Sequence, residues 1–300
     1  MDRKGISLAM ASFFMWGTFP LYWVNTIEVP AFEVLSHRGF WIVPVLIAVL
    51  FLRRLWPKVR QACALVNLRW LMVSAVLIAI NWGVYVWAVA EQAVTEAALG
   101  YYLTPLLNVA MGMLIFGERL SRLKYLALGL AAIGVLSVAW LVGEWPWFGL
   151  AVGFSFAAYS SARKMVNVES IVGLSVESFL LFPIWALYLW FYGDIKWVTT
   201  EPTAAWLILG GAVTAIPLIT HVAAARRIPL SLLGMLFFTV PTLQMLSGVL
   251  VLNEPFDQDR AIAFGFIWAA VAIFLFDEYR RSQASKIGFD QPADQPRQST

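Results

Sequence analysis

Long runs of apolar residues, separated by short polar connections, follow one another along almost the whole chain. A helix needs about 20 apolar residues to cross the roughly 30 Å hydrocarbon core of a bilayer. With that length as the guide, the pattern predicts ten spans, at residues 5–25, 34–52, 70–90, 97–116, 123–142, 146–162, 171–192, 204–223, 230–252 and 261–277. We therefore predict an all-α polytopic membrane protein, in which the polar residues 279–300 form a disordered cytoplasmic tail.

The composition excludes several classes of protein. Of the 300 residues, 61% are hydrophobic and 13% are charged, whereas soluble domains average about 45–50% and about 25%. The single cysteine, Cys63, excludes a disulfide framework and a cysteine-based metal site, and two histidines are too few for a histidine-rich site. We expect no metal and no cofactor. The dispersed basic residues do not predict a nucleic-acid partner.

The basic residues are distributed unequally between the two sides of the predicted spans. Eighteen of the 21 lie in connections and termini on one side, whereas Lys196 and Arg260 lie on the other and Arg38 lies inside the second span. Connections rich in lysine and arginine stay in the cytoplasm, so this bias predicts that both termini are cytoplasmic. An odd number of spans would break the alternation of charge, and the pattern therefore supports ten.

An internal repeat relates the two parts of the chain. The stretch TPLLNVAMGMLIFGERL (104–120) resembles VPTLQMLSGVLVLNEPF (240–256) at a constant offset of 136, so that Glu118 corresponds to Glu254. The offset joins spans four and five to spans nine and ten, which indicates a unit of five helices. A unit with an odd number of helices crosses the membrane in opposite directions in its two copies. We expect residues 1–142 and 143–278 to be inverted five-helix repeats.

Inverted repeats are a recurrent architecture of secondary transporters, which bind a small-molecule substrate near the membrane midplane between the two halves. A duplication kept only for packing is the alternative. The chain has no G-x-x-x-x-G-K-[ST], H-E-x-x-H or G-x-S-x-G motif, so we predict neither an ATP-driven pump nor an enzyme. An uncoupled facilitator or channel is the second alternative. The oligomeric state, a homodimer included, stays open.

Several motifs together resemble the RarD-like permeases of the EamA family, within the drug/metabolite transporter superfamily. They include EVLSHRGFW (33–41), NWGVYVWAV (81–89), EAALGYYLTPLLN (96–108) and GERLSR (117–122), and the resemblance extends from about Gly5 to Asp277. It implies a ten-helix permease of the bacterial inner membrane that exports small amphipathic metabolites, amino-acid-like compounds or drugs such as chloramphenicol. His221, in the eighth span, departs from the apolar residue expected there.

Polar side chains inside the spans are the candidates for the substrate path, because a polar group in hydrocarbon needs a partner or a cavity. Arg38 suits an anionic group, although its alternative is contact with lipid headgroups. In spans four and nine, an aromatic residue and an amide residue lie on the same face of the helix, and Asn108 of span four corresponds to Gln244 of span nine. The predicted substrate-binding residues are Arg38, Asn81, Tyr85, Tyr101, Asn108 and Gln244.

Two titratable residues are candidates for proton coupling. Glu177 lies in the inner half of span seven with no basic residue within a turn of its helix, so it is a candidate for carrying a proton or binding an ammonium group. His37 is the second candidate, because an imidazole titrates near neutral pH. The alternatives are a buried carboxylate bonded to a neighbouring helix for Glu177 and headgroup contact for His37.

Overall fold

The computed structural model describes residues 2–90, 94–142, 147–199, 202–251 and 258–289, and within these ranges it contains helices, turns and bends but no strand. In chain order the helices are α1 (Arg3–Gly17), α2 (Phe19–Trp23), α3 (Ala31–Leu52), α4 (Trp56–Ala62), α5 (Leu65–Ala90), α6 (Val94–Phe116), α7 (Arg122–Val142), α8 (Trp147–Met165), α9 (Ser170–Tyr192), α10 (Lys196–Thr199), α11 (Ala204–Ala225), α12 (Leu230–Phe237), α13 (Thr239–Leu250) and α14 (Gln258–Phe289).

Helices overlap every one of the ten predicted spans. Within the described ranges, seven segments are long and apolar enough to cross a membrane: Ala31–Leu52, Asn67–Ala88, Arg122–Trp140, Ser170–Tyr192, Ala204–Ala225, Leu230–Leu250 and Ala261–Gln283. The prediction of an all-α chain with many membrane-length helices is thus confirmed. The count of ten crossings in two inverted repeats stays a prediction.

The predicted tail begins too early, because α14 continues through residues 279–289. The Nε atom of Arg281 lies 2.8 Å from an Oδ atom of Asp277, one helical turn before it, and such i,i+4 pairs favour the helix. Charged residues therefore extend the helix instead of ending it. Residues 290–300, which belong to the same predicted tail, lie outside the described residues.

Prolines divide two of the predicted spans into shorter helices. Pro20 has no N–H to donate to the carbonyl of Trp16, and α1 ends at Gly17 before the chain continues in α2. Pro241 likewise cannot bond to the carbonyl of Phe237, and α12 gives way to α13 there. Both breaks leave backbone carbonyls that need other donors.

The helices pack mainly against partners from the other part of the chain. α3 contacts α9 and α11, α6 contacts α8 and α12, and α1 contacts α11, α12 and α13. α5 packs on α8 and α9, while α7 packs on α14. A shared apolar core runs through these contacts, with the side chains of Phe13, Leu46 and Ile267 fully buried.

Ion pairs and hydrogen bonds connect the basic connections on one side of the bundle, which we call the basic face. The pairs are Asp2 with Arg227, Lys58 with Glu169, Asn167 with Arg226, Glu118 with Lys164, and Lys124 with Glu278. Because α1 begins at this face, the loop between α2 and α3 lies at the other end. We call that end the opposite face, where the carboxylate of Glu33 accepts a hydrogen bond from the backbone N–H of Asp194.

One glycine permits the close approach of α11 to α3. A Cβ atom at Gly211 would overlap the backbone of Trp41 and lie 2.7 Å from the N atom of Ile42. Gly129, on the exposed side of α7, has nothing within 4 Å of the equivalent point.

We expect Gly211→Ala to lower the apparent melting temperature of the purified protein, because overpacking costs about 1–3 kcal/mol. Gly129→Ala is the matched control and is expected to leave the melting temperature unchanged or slightly raised, since alanine favours the helix. The measurement is thermal unfolding in detergent. Equal melting temperatures for the two variants would contradict the proposed contact.

Candidate functional site

A cavity of about 300 Å³ lies where helices from both parts of the chain meet. Its wall is largely aromatic and apolar, and among the described residues that line it Arg38 is the only charged one. The lining residues are Trp16, Phe19, Pro20, Trp23, Leu35, Arg38, Asn81, Trp82, Tyr85, Val86, Tyr101, Thr104, Val152, Phe156, Thr214, Leu218, Phe237 and Gln244. We call this space the central cavity.

The structure brings five of the six predicted substrate-binding residues around the central cavity: Arg38, Asn81, Tyr85, Tyr101 and Gln244. Asn108 is not among the lining residues. It is fully buried, and its Cβ atom lies 2.9 Å from where a side chain would begin at Gly234 of α12. Asn108 therefore belongs to a helix contact, and substrate binding by the other five stays a prediction.

Arg38 is held by aromatic rings and one hydroxyl group. Its guanidinium carbon lies 5.0 Å from the ring centroid of Trp23 and 5.4 Å from that of Trp82, within the range of cation–π attraction. Its Nε atom donates to the Oγ1 atom of Thr214 at 3.2 Å. Among the described residues no carboxylate lies within ion-pair distance of the guanidinium group.

The polar side chains around Arg38 are fixed by neighbouring helices. The Nδ2 atom of Asn81 donates to the carbonyl of Val152 at 2.8 Å and lies 3.1 Å from the hydroxyl of Ser155, which ties α5 to α8. The Nε2 atom of Gln244 donates to the carbonyl of Trp16 at 3.3 Å, the group that the break at Pro20 leaves free. These bonds hold the amides in place at the cavity wall.

Two tyrosines add a second aromatic element to the wall. The rings of Tyr85 and Tyr101 meet edge to face with centroids 6.2 Å apart. Both rings line the same cavity as Arg38. They supply hydroxyl groups without adding a charge at neutral pH.

An aromatic layer separates the central cavity from the basic face. The imidazole of His221 lies 5.1 Å from the ring centroid of Phe156 and 5.2 Å from that of Trp16, and the rings of Phe13 and Phe237 complete the layer. The Nε2 atom of His221 is 2.8 Å from the hydroxyl of Ser160. The unexpected histidine is thus a packed residue of this layer.

Glu177 lies in a buried polar network and has a basic partner from a neighbouring helix. The Nε atom of Arg163 is 3.3 Å from its Oε1 atom, an ion pair without hydrogen-bond geometry. The hydroxyl of Ser74 donates to the same carboxylate, and the hydroxyl of Tyr159 is 3.4 Å from its Oε2 atom. The alternative of a buried carboxylate bonded to neighbouring helices is the one the geometry supports.

The charge pattern places Arg163 in a connection between two predicted spans, and this prediction is wrong. Its side chain is fully buried, because α8 continues to Met165 and turns Arg163 inward against Gly173 of α9. A Cβ atom at Gly173 would overlap the guanidinium group. Because a helix rises 1.5 Å per residue, Arg163 lies roughly 10 Å along α8 from Phe156 in the cavity wall.

His37 lies in a second cavity of about 380 Å³, near the opposite face, and not with Glu177. This cavity is bounded by Glu33 and Trp41 of α3 and by the end of α9 with Asp194. Both ring nitrogens of His37 lack a hydrogen-bond partner among the described residues. Beside it, the backbone N–H of Lys196 holds the pKa of the Asp194 carboxyl below its ordinary value.

Glu118 has a capping role. Its carboxylate accepts hydrogen bonds from the backbone N–H groups of Leu230, at 2.7 Å, and Ser231, at 2.9 Å. These are unsatisfied donors at the start of α12, where a negative charge is favoured. Glu254, its counterpart in the predicted repeat, lies outside the described residues.

The sequence of the chain matches known transporters over nearly its full length. Residues 3–140 match the EamA-like transporter family. The uncharacterized transporter YojE of Bacillus subtilis is 38% identical over 290 residues, which cover 95% of this chain and 97% of that protein. The chain belongs to the EamA family.

Other relatives in this family carry the name RarD. Protein RarD of Escherichia coli is 38% identical over 95% of this chain and 98% of its own length. The chloramphenicol-sensitive protein RarD of Pseudomonas aeruginosa is 30% identical over 95% of this chain and 99% of its own. The resemblance to RarD-like proteins is thus confirmed. A crystal structure only 21% identical shares the fold with a TM-score of 0.72, over 91% of this chain and 98% of that one.

Sequence reasoning missed several residues around the site of this EamA-family chain. Thr214 is a polar residue in an apolar span, a signal that could have placed it beside Arg38. Ser74 carries the same weak signal. No sequence signal distinguishes Arg163 from a basic residue in a connection, because it directly precedes Lys164 at the end of a span.

We expect Asn108→Leu to leave the apparent melting temperature unchanged or higher, because neither polar atom of the buried amide has a hydrogen-bond partner among the described residues and an apolar side chain of similar size removes that cost. Asn81→Leu is the comparison and is expected to lower the melting temperature, since it removes two interhelical hydrogen bonds of about 0.5–1.5 kcal/mol each. Thermal unfolding in detergent checks both. The reverse order of stability would contradict the assignment.

Proposed function

We propose that the chain is a secondary active transporter of small amphipathic metabolites, amino-acid-like compounds or drugs such as chloramphenicol, and that it works as an exporter in the bacterial inner membrane. The observation that carries the proposal is the central cavity, a mostly aromatic space with few polar groups at the junction of the two parts of the chain. Binding sites for small molecules are typically apolar pockets with a few polar groups, and their volumes start at roughly 300 Å³. The transporter names of the full-length relatives support it.

The packing supports the proposed arrangement of residues 1–142 and 143–278 as inverted repeats. If α1 corresponds to α8, α3 to α9, α5 to α11, α6 to α12–α13 and α7 to α14, each main contact has a counterpart. The contact of α6 with α8 then corresponds to that of α12–α13 with α1, and the contact of α5 with α8 corresponds to that of α11 with α1. Tyr101 and Phe237, at equivalent positions of the repeat, both line the central cavity.

The charge distribution supports a cytoplasmic position for the basic face and both termini. The connections rich in lysine and arginine are linked to one another by ion pairs and hydrogen bonds on this face, and such connections stay in the cytoplasm. With this orientation, the central cavity lies toward the periplasm, and the aromatic layer and the Glu177 network lie between it and the cytoplasm.

Alternating access then requires the closed side to open. In our proposal the two halves rock about the cavity, which separates α5 of the first half from α8 and α9 of the second. On this side the hydroxyl of Ser74 in α5 donates to the carboxylate of Glu177 in α9, and this buried contact holds the two halves together. A fully buried network of this kind also disfavours the alternative of a continuously open channel.

Protonation of Glu177 couples this opening to a proton gradient. A proton bound to the carboxylate removes the negative charge that accepts the hydrogen bond from Ser74, and this weakens the contact between the two halves. Tyr159 lies one turn from Phe156 of the cavity wall, and its hydroxyl reaches Glu177, which provides a route from the cavity. The contacts of His37, in the second cavity, do not support a part for it in this route.

The first test measures solute efflux from proteoliposomes loaded with a mixture of amino acids, aromatic acids and chloramphenicol. We expect a subset of solutes to leave faster than from protein-free vesicles, saturably, and faster still with acid outside. Mass spectrometry of the external medium measures the efflux. If no solute leaves faster than from protein-free vesicles, the transport proposal fails, and efflux that ignores the pH gradient would support a facilitator instead.

Thr214→Trp and Ile216→Trp form the matched pair for this assay. Thr214 lines the central cavity, whereas Ile216 lies on the exposed side of the same helix. We expect the first variant to abolish efflux and the second to retain it. Undiminished efflux in a folded Thr214→Trp variant would contradict transport through the cavity.

The second test addresses coupling. We expect Glu177→Gln to lose the acceleration by a pH gradient while solute exchange at equal pH continues, because glutamine keeps the shape of the side chain but cannot bind a proton. Ser74→Ala is the control, since it removes a hydrogen bond to the same carboxylate and no titratable group. Retained acceleration in Glu177→Gln would contradict the coupling role.

A further inference from the structure

The charge balance of the central cavity is incomplete. Arg38 brings one positive charge, and no aspartate or glutamate is among the described residues that line the wall. Glu33, five residues before Arg38 in α3, borders the second cavity and accepts a hydrogen bond from the backbone N–H of Asp194. Glu177 already faces Arg163. A cation inside a membrane protein is costly without a partner, so the cavity favours an occupant that brings a negative charge.

The hydrogen bonds of Arg38 lead to the same conclusion. A guanidinium group carries five N–H donors. The one on Nε is bonded to Thr214, whereas the four on the terminal nitrogens have no hydrogen-bond acceptor among the described residues. Two parallel N–H groups of this kind match the two oxygens of a carboxylate. The rings of Trp23 and Trp82 already restrain the guanidinium group. Arg38 therefore loses little side-chain freedom when a ligand binds.

The remaining wall determines what else the occupant carries. Beyond Arg38, the lining is dominated by rings and aliphatic side chains, including Phe19, Val86 and Phe237. Such a wall accommodates an apolar or aromatic body. A volume of about 300 Å³ suits a body made of a single ring system or a short chain.

Among the described residues that line this cavity, no carboxylate is available to pair with an ammonium group. In an α-amino acid the ammonium lies next to the carboxylate, so a carboxylate bound to Arg38 would hold it close to the guanidinium. Repulsion between like charges at such short range is strong where water is excluded. The faces of Trp23 and Trp82 that could attract a cation are already used by Arg38.

We propose that the central cavity selects small organic monoanions, in which one carboxylate binds Arg38 and an apolar or aromatic body packs on the ring-lined wall, in preference to zwitterions, amines and neutral amides. This inference rests on the proposed transport function and narrows its substrates to anionic metabolites, in preference to amino-acid-like zwitterions and to chloramphenicol, a neutral amide. Arg38 is the specificity-determining residue, and Thr214 is the positioning residue that orients its guanidinium group.

The test uses four ligands with the same phenylpropyl body: 3-phenylpropionate, 3-phenylpropionamide, 3-phenylpropylamine and phenylalanine. Phenylalanine differs from 3-phenylpropionate only by its α-ammonium group. Binding to the purified full chain in phosphatidylcholine nanodiscs is measured by calorimetry. We expect 3-phenylpropionate to bind at least tenfold more tightly than each of the other three. Equal or tighter binding of the amide or of phenylalanine would overturn the proposal, as would the absence of binding by 3-phenylpropionate.

Variants connect this preference to Arg38. We expect Arg38→Gln to remove the preference for the acid over the amide and Arg38→Lys to weaken it, because lysine keeps the charge without the paired donors. Thr214→Val is expected to weaken binding of the acid by less than Arg38→Gln does. Arg53→Gln, in an exposed connection at the basic face, is the control and is expected to change nothing. A preference for the acid that survives in Arg38→Gln would overturn the proposal, and the wild-type ligand series decides it if that variant does not fold.

Two further comparisons separate the outcomes. Nanodiscs that contain phosphatidylglycerol are expected to leave acid binding unchanged, and loss of binding there would show that Arg38 holds an anionic lipid headgroup, which overturns the proposal. The efflux assay decides the transport function independently. Efflux of neutral solutes without efflux of acids would refute the selectivity alone, whereas tight binding of the acid without any efflux would refute transport alone.

Discussion

A charged side chain inside a bilayer must have a counter-charge, a polar partner or access to water, and this constraint explains the central part of the molecule. Two arginines meet it in opposite ways. Arg163 is fully buried and faces the carboxylate of Glu177. Arg38 faces a cavity between two tryptophan rings and has no carboxylate partner among the described residues. The first arginine stabilises a closed contact between helices, whereas the second retains its capacity to bind.

The cavity that surrounds Arg38 exists because helices end early beside it. Pro20 stops α1 at Gly17, and Pro241 separates α12 from α13, so neither span is one straight helix at this level. The break in the first span leaves the carbonyl of Trp16 for Gln244. Irregular backbone at membrane depth is tolerated where it borders a cavity in the protein. The same local feature therefore creates the space and supplies polar groups to its wall.

The order of layers along the bundle relates this geometry to transport. From the opposite face the central cavity comes first, and the aromatic layer around His221 and the network around Glu177 both lie nearer the basic face. Apolar packing and a buried polar network thus both close this side of the cavity. In the proposed mechanism both must separate before the cavity reaches the basic face, which gives the closed state an energetic barrier that a proton on Glu177 lowers.

Local patterns in the sequence determined the helical architecture, the membrane-length segments, the family and five polar residues of the cavity wall. These features follow from runs of apolar residues and from polar side chains within them, which are properties of one helix at a time. Only the tertiary structure decided that Glu177 pairs with Arg163 and that Asn108 contacts α12 instead of the cavity. The reason is physical: the side chain that a buried polar group meets depends on how separate helices pack, and no spacing along one helix encodes it.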